Sequence, residues 1–189
     1  MTESSTKLRM MIISALFAAI IGVLAQITIP LPLVPITGQT LAIGLAATIL
    51  GAKYGTLSVL IYLCMGGIGL PVFAQMSGGL GILFGPTGGF LVGFIPTAFI
   101  IGYFLEKTSF TVKNAIIANI IGMLVALSFG TVWLKVIANL SWTAALAAGF
   151  LPFLIVGVLK AVLASWAGIV VRNRLESTKL LTAWNPPAS

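Results

Sequence analysis

Lys160 stands alone as a charged residue in an apolar run that extends from Phe150 to Val171. An ammonium group at that depth costs about 2.5 kcal/mol or more on membrane-insertion scales, which makes it a functional candidate by default. It lies some eleven residues beyond Gly149, roughly 16 Å along a helix that rises 1.5 Å per residue, and snorkelling to an interface from there is hard. Its neighbours at helical spacing are Phe153, Val156, Gly157, Leu163, Ala164 and Ala167, none of them a carboxylate. The acids of the chain, Glu3, Glu106 and Glu176, all fall at the ends of apolar runs. Three states are open to Lys160: uncharged through burial, bonded to backbone carbonyls and water, or paired with an anionic ligand. Ligand pairing is the functional reading, and a satisfied structural lysine is its plain competitor.

Hydrogen-bonding side chains gather at two further places. Thr37, Gln39 and Thr40 follow Pro30, Pro32 and Pro35 at the start of a short apolar run. Proline fixes the approach of the chain there, and a helix N-terminus leaves N–H groups free. Ordinary N-capping accounts for Thr37 by itself as well as binding does, but less well for the whole cluster.

The second place is the glycine-dense stretch 66–89. Exposed to lipid, such a segment would strand backbone N–H and C=O groups in hydrocarbon, so it must rest on protein or water. Gly81, Gly85, Gly89 and Gly93 recur every fourth residue, the small-xxx-small pattern that brings membrane helices together, and packing explains them. Packing does not explain Phe73, Gln75, Ser77, Pro86 and Thr87, which suit a pocket with one apolar wall and a few oriented polar groups. Residues 69–79 are therefore expected to form a lid or wall that faces Gln39, with Lys160 below. No lysine follows the glycines at phosphate-loop spacing.

Catalysis is poorly provided for. The chain has no histidine, no carboxylate inside a span, no recognisable Ser/Lys pair, no metal-ligand cluster, and one cysteine, Cys64, within an apolar run. Chemistry would have to rest on Lys160 or Cys64. Coupling to protons or sodium normally uses intramembrane Asp, Glu or His, so energy for any transport is expected to come from elsewhere.

The elements that must position these residues are membrane spans. With 59% hydrophobic and 7% charged residues, against about 25% charged in soluble domains, the chain reads as a polytopic all-α membrane protein. At roughly 20 residues per span, its 189 residues make one integral-membrane domain, residues 1–189, with no room for a soluble one. Hydropathy places spans near 10–29, 37–50, 54–72, 83–105, 113–135 and 147–171, the second notably short.

Six spans with the N-terminus inside put Lys7, Arg9, Lys53, Lys107, Lys113, Arg172, Arg174 and Lys179 on the cytoplasmic side. Lys135 then falls near an outer end, and both termini are predicted cytoplasmic. The net charge of +7 follows from this bias and not from a nucleic-acid stripe, because the basic residues are scattered. Trp133 and Trp142 read as interfacial belt residues, and the tail at Pro186 and Pro187 as a disordered end. In the first span Ala15 and Ala19 form another small-xxx-small pair beside Ala18 and Gly22, a surface smooth enough for a second helix.

Four ordered motifs carry a family resemblance across most of the chain: PLPLVPITGQTL at 30–41, GLPVFA at 69–74, GPTGG at 85–89, and Pro152-Phe153 leading to Lys160-Ala161. The sequence resembles the BioY family, the biotin-binding S components of energy-coupling factor (ECF) transporters. That resemblance implies a six-helix S-component fold, capture of biotin from outside, and a multi-pass place in a prokaryotic cell membrane. It implies partners as well: a membrane coupling protein facing Ala15 and Ala19, and two ATPase subunits that use the ATP, so that this chain needs no cofactor of its own. Two departures stand out. Family members often carry an Asp shortly before the lysine of the sixth span, where this chain has the run 155–159, IVGVL. After GLPVFA it has Gln75-Met76-Ser77 where smaller residues are expected.

Residues and resemblance meet on the shape of biotin, which has a ureido ring system and an aliphatic tail ending in a carboxylate. Lys160 is expected to supply a counter-charge or a donor to the ureido oxygen, Thr37, Gln39, Ser77 and Thr87 hydrogen bonds, and Phe73 an apolar wall, with Pro86 beside them. A self-sufficient facilitator or secondary transporter for biotin is the alternative, and an intramembrane enzyme acting through Lys160 a third reading.

Overall fold

Glycine, proline and charge divide the chain much as its hydropathy predicts, with one long run folded back on itself. The computed structural model describes residues 3–178, 180 and 181. In chain order it contains α1 (Glu3–Ala25), β1 (Thr28–Ile29), β2 (Ile36–Thr37), α2 (Gln39–Gly67), a 3-10 turn (Ala74–Met76), α3 (Leu80–Leu83), α4 (Gly88–Lys107), α5 (Val112–Ile137), α6 (Trp142–Gly149) and α7 (Leu151–Ser177). Lys179 and the Pro186-Pro187 tail lie outside the described residues, as does the side chain of Glu3.

Helix α2 is two antiparallel limbs joined at a break. Gly51 takes φ 77° and ψ −172°, a conformation that breaks a helix and that glycine alone adopts readily. Beyond it the chain returns so closely that a Cβ on Gly55 would lie 2.7 Å from the Cα of Ala47. Gln39 and Tyr62, 23 residues apart, are hydrogen-bonded across the two limbs. Among the described residues five helices are long and apolar enough to cross a membrane, and with α2 doubled back the chain makes six passes. It is a multi-pass membrane protein. The first limb, residues 39–50, rises only about 18 Å and cannot cross a hydrocarbon core of about 30 Å by itself.

Several boundaries differ from those that hydropathy draws. The first helix begins earlier, at Glu3, and reaches the apolar run through the polar residues 3–9. It ends earlier, at Ala25, because Thr28 and Ile29 pair with Thr37 and Ile36. The final helix runs on to Ser177 through charged residues, where Arg172 and Glu176 form an i,i+4 ion pair at 2.9 Å. The connection around 138–150 holds a separate short helix, α6, capped by Ser141, whose Oγ accepts from the N–H of Ala144 at 3.2 Å.

The two ends of the bundle differ in kind. Met10, Ile49, Leu50, Tyr54 and Leu181 cluster at one end, which brings the Gly51 turn, the first turns of α1 and the chain beyond α7 to the same side. At the opposite end lie the β1–β2 hairpin, residues 68–87 and α6. Between them, in the core, Asn119 Nδ2 sits 3.0 Å from Thr48 Oγ1 and 3.1 Å from Ser165 Oγ, joining α5, α2 and α7 through polar groups that lipid could not satisfy. Replacing Asn119 with valine is expected to destabilise the protein by about 1–2 kcal/mol, the range of interhelical hydrogen bonds in membranes. Denaturant unfolding in detergent measures it, and ligand affinity should not change.

Candidate functional site

The proline-rich loop is shaped to deliver Thr37 and Gln39 to the interior. Gly38 donates its N–H to Ile27 O at 2.9 Å and presses against the Leu24 carbonyl so closely that a side chain there would collide with it. With the hairpin clamped in this way, Thr37 Oγ1 donates to Gln39 Oε1 at 2.7 Å, and Gln39 Nε2 donates to the Tyr62 hydroxyl. Gln39 is 5% exposed, so its amide is held in one orientation by groups that are themselves fixed. Gly38, not Thr37, is the N-cap of α2 and makes no side-chain cap, but Thr37 Oγ1 accepts the N–H of Gln39, the first residue of the helix, at 3.3 Å, so the threonine both caps the helix start and lines the cavity.

These residues form the polar end of a cavity of about 330 Å³ that opens at the hairpin end of the bundle, near the lower bound for small-molecule sites. Lys160 reaches the same end from α7. Its Nζ donates to Thr37 O at 2.6 Å and lies 3.5 Å from Thr40 Oγ1, and among the described residues no carboxylate lines the cavity. That bond to a backbone carbonyl is one of the states the sequence leaves open to Lys160. Phe153, Val156 and Gly157 line the cavity on the same face of α7, as helical spacing requires. Gly157 leaves room for the thioether of Met123, with which any Cβ at 157 would overlap.

The remaining wall is apolar and aromatic. Phe90 and Phe94 come from α4, one turn apart, and Phe90 lies 6.0 Å from Phe153 between ring centroids. Phe73 descends from the loop after α2, is 1% exposed, and meets Tyr62 edge-to-face at 5.4 Å. Its ring occupies the space that a side chain on Gly66 would fill. One end of the cavity thus offers a cation, an amide and hydroxyls, and the other offers rings and methyl groups.

Thr37, Gln39, Phe73, Ser77, Thr87 and Lys160 all line this cavity. The Ser77 hydroxyl also closes its own turn, donating to Ala74 O at 2.7 Å. Pro86 is exposed and outside the lining, because it sits on the turn that Trp133 holds by donating Nε1 to Gly85 O at 3.0 Å. That bond gives Trp133 a role beyond the interfacial belt.

The glycine series divides. Gly89 and Gly93 pack against Trp133 and Phe129 of α5, whereas Gly81 has open space around it and Gly85 meets only its own loop. Ala15 and Ala19 are exposed on α1, on the side away from buried Ser14, Ala18 and Ile21. Residues that the sequence does not single out are Tyr62, which anchors Gln39, together with Phe90, Phe94 and Met123. The i,i+4 pair of phenylalanines after Gly89 was the available signal for two of them.

Comparison with known proteins follows the same lines. Residues 1–177 match the family model described as the BioY family. The chain is 42% identical over 174 residues to the biotin transporter BioY2 of Lactococcus lactis subsp. cremoris, covering 92% of this chain and 96% of the relative. It is 41% identical over 159 residues to the biotin transporter BioY of Thermotoga maritima, covering 84% and 92% respectively. Among solved structures it is similar to the S-component for biotin from an ECF-type ABC transporter, determined at 2.1 Å, with a TM-score of 0.83, 32% identity and coverage of 92% and 95%.

Proposed function

This chain belongs to the BioY family, and from that premise we propose that it is the biotin-binding S component of an ATP-driven ECF-type importer. The observation that carries the proposal is the cavity itself. It has one cation, Lys160, at a polar end formed by Thr37, Gln39 and Thr40, facing a wall of phenylalanines. Biotin has matching parts: groups that accept from Lys160 and the hydroxyls, and an aliphatic and thioether body for Phe73, Phe90 and Phe153. Ser77 and Thr87 lie where they add hydrogen bonds from the loop side.

The chain is not an enzyme; it captures its ligand and needs no cofactor. The cavity faces outward in this reading, since Lys7, Arg9, Lys53, Lys107, Lys113, Arg172 and Arg174 belong to the opposite, Gly51 end, and basic residues favour the cytoplasm. Ala15 and Ala19 lie open on α1 for the coupling protein, and the ATP is used by two ATPase subunits. The cavity is lined by no carboxylate that would relay ions, which favours an energising partner over a secondary transporter.

Native mass spectrometry of protein purified without added ligand tests the substrate: biotin bound, or readily taken up when added, is the expected result, and a different bound mass overturns it. Uptake of labelled biotin in a host without any coupling module tests the partnership. No uptake is expected there, and full uptake favours a self-sufficient facilitator.

A further inference from the structure

Among the described residues, one side chain from elsewhere in the fold hydrogen-bonds to the turn that carries Phe73 into the cavity. Gln26 follows the last residue of α1, and its Nε2 lies 3.1 Å from Phe73 O, 3.4 Å from Val72 O and 2.9 Å from Gly22 O. Its Oε1 accepts the N–H of Met76 at 2.8 Å. Among the described residues no other side chain from outside residues 72–77 bonds to them. Within the turn, Phe73 N–H donates to Ser77 O at 2.9 Å, and two consecutive residues that are not glycine, Gln75 (φ 58°) and Met76 (φ 55°), adopt the left-handed conformation. Such a pair persists only where its surroundings over-determine it. Gly22 lets the turn come close, since a Cβ there would lie 3.3 Å from Val72 Cβ.

Gln26 itself does not line the cavity, whereas Phe73, Ala74, Gln75 and Ser77 do. Its amide can therefore act on a ligand only through the turn. We infer that Gln26 is a positioning residue, a latch that keeps the strained turn 72–77 closed as one wall of the cavity and so sets how long a bound ligand stays. Without it, Gln75 and Met76 relax out of the left-handed region, the Phe73–Ser77 bridge opens, and Phe73 loses its seat against Gly66 and Tyr62.

The test has one arm without ligand and one with it, because only the second rests on the biotin reading. In Gln26→Met, hydrogen exchange at the amides of 72–77 is expected to accelerate about tenfold or more. The midpoint of thermal unfolding should stay within a few degrees of wild type, which separates the latch from a general loss of stability. Asparagine tolerates the left-handed conformation better than methionine, so adding Met76→Asn to Gln26→Met is expected to recover much of the protection. Met76 does not line the cavity, so the rescue cannot come from a new ligand contact.

With labelled biotin, the dissociation rate should rise about tenfold in Gln26→Met and fall again in the double variant. Should methionine at 26 fold poorly, Gln26→Glu serves in its place, since its carboxylate keeps the acceptor for Met76 but faces the carbonyls of Val72 and Phe73. Unchanged exchange in the single variant, or no recovery in the double one, overturns the latch. A wild type that binds no biotin overturns the substrate reading, and exchange still decides the latch.

Discussion

Replacing Lys160 with methionine is expected to weaken biotin binding about 100-fold or more, a loss of about 2.7 kcal/mol. Methionine keeps an unbranched apolar side chain of nearly the same reach, so the wall of the cavity survives while the ammonium group is removed. Among the described residues that group is the only charge lining the site. Hydrogen bonds to charged groups contribute about 1.5–3 kcal/mol, and more where water is excluded. Equilibrium binding of labelled biotin to purified protein measures the change, and an unchanged affinity removes Lys160 from the site.

A neutral biotin methyl ester separates the two ways in which Lys160 could act. If it meets the carboxylate, wild-type protein discriminates against the ester and Lys160→Met abolishes the discrimination. If it donates to the ureido oxygen, both proteins treat acid and ester alike. The run 155–159 carries no acid, and among the described residues lining the cavity none is a counter-ion for Lys160.

The passes of the bundle and the polar end of the site were legible in the sequence for clear physical reasons. Apolar runs long enough for a bilayer have few alternatives, and a lysine or a Thr-x-Gln cluster at depth must be satisfied by something. What stayed hidden depended on tertiary neighbours. Gln26 looks like any polar residue ending a helix until the turn 72–77, some fifty residues later, is seen to rest on it. Tyr62 appears in sequence as one more aromatic residue in a span, and only its contacts with Gln39 and Phe73 make it a support of the site.

Arg172 counts as one more cytoplasmic charge by topology. In the fold it is 3% exposed, stacks 3.4 Å from the centroid of the Phe110 ring, and donates to Ile49 O at 2.7 Å. A charge count gives the side of the membrane, not which charges are buried. The regular glycine spacing misled in part for a related reason, since Gly81 and Gly85 precede α4 and have no partner helix to pack against.

The largest loss of stability is expected from Gly51→Ala. Gly51 sits at φ 77° and ψ −172°, in a region that is essentially closed to residues with a Cβ and that costs of order 1–3 kcal/mol to enter. Such strain often dissipates by a small shift of the turn, but here the turn is fixed on three sides. Glu106 Oε1 accepts the N–H of Ala52 at 2.7 Å, and Arg172 Nη1 donates to Ile49 O at 2.7 Å. Gly102 of α4 presses so closely on the backbone of Gly51 and Ala52 that a Cβ at 102 would overlap it.

Relaxing the turn therefore means breaking a charge-assisted hydrogen bond or parting α4 from α2, and the full cost of about 3 kcal/mol should appear. For a chain of this length that lowers Tm by roughly 6–12 °C. Gly81→Ala is the control, because nothing lies within 4 Å of its added methyl and alanine favours the helix. The Gly51 turn and the cavity are at opposite ends of the bundle, so biotin affinity of the folded Gly51→Ala protein should remain close to wild type. A variant that melts with wild type would mean that the two limbs of α2 can turn without this conformation.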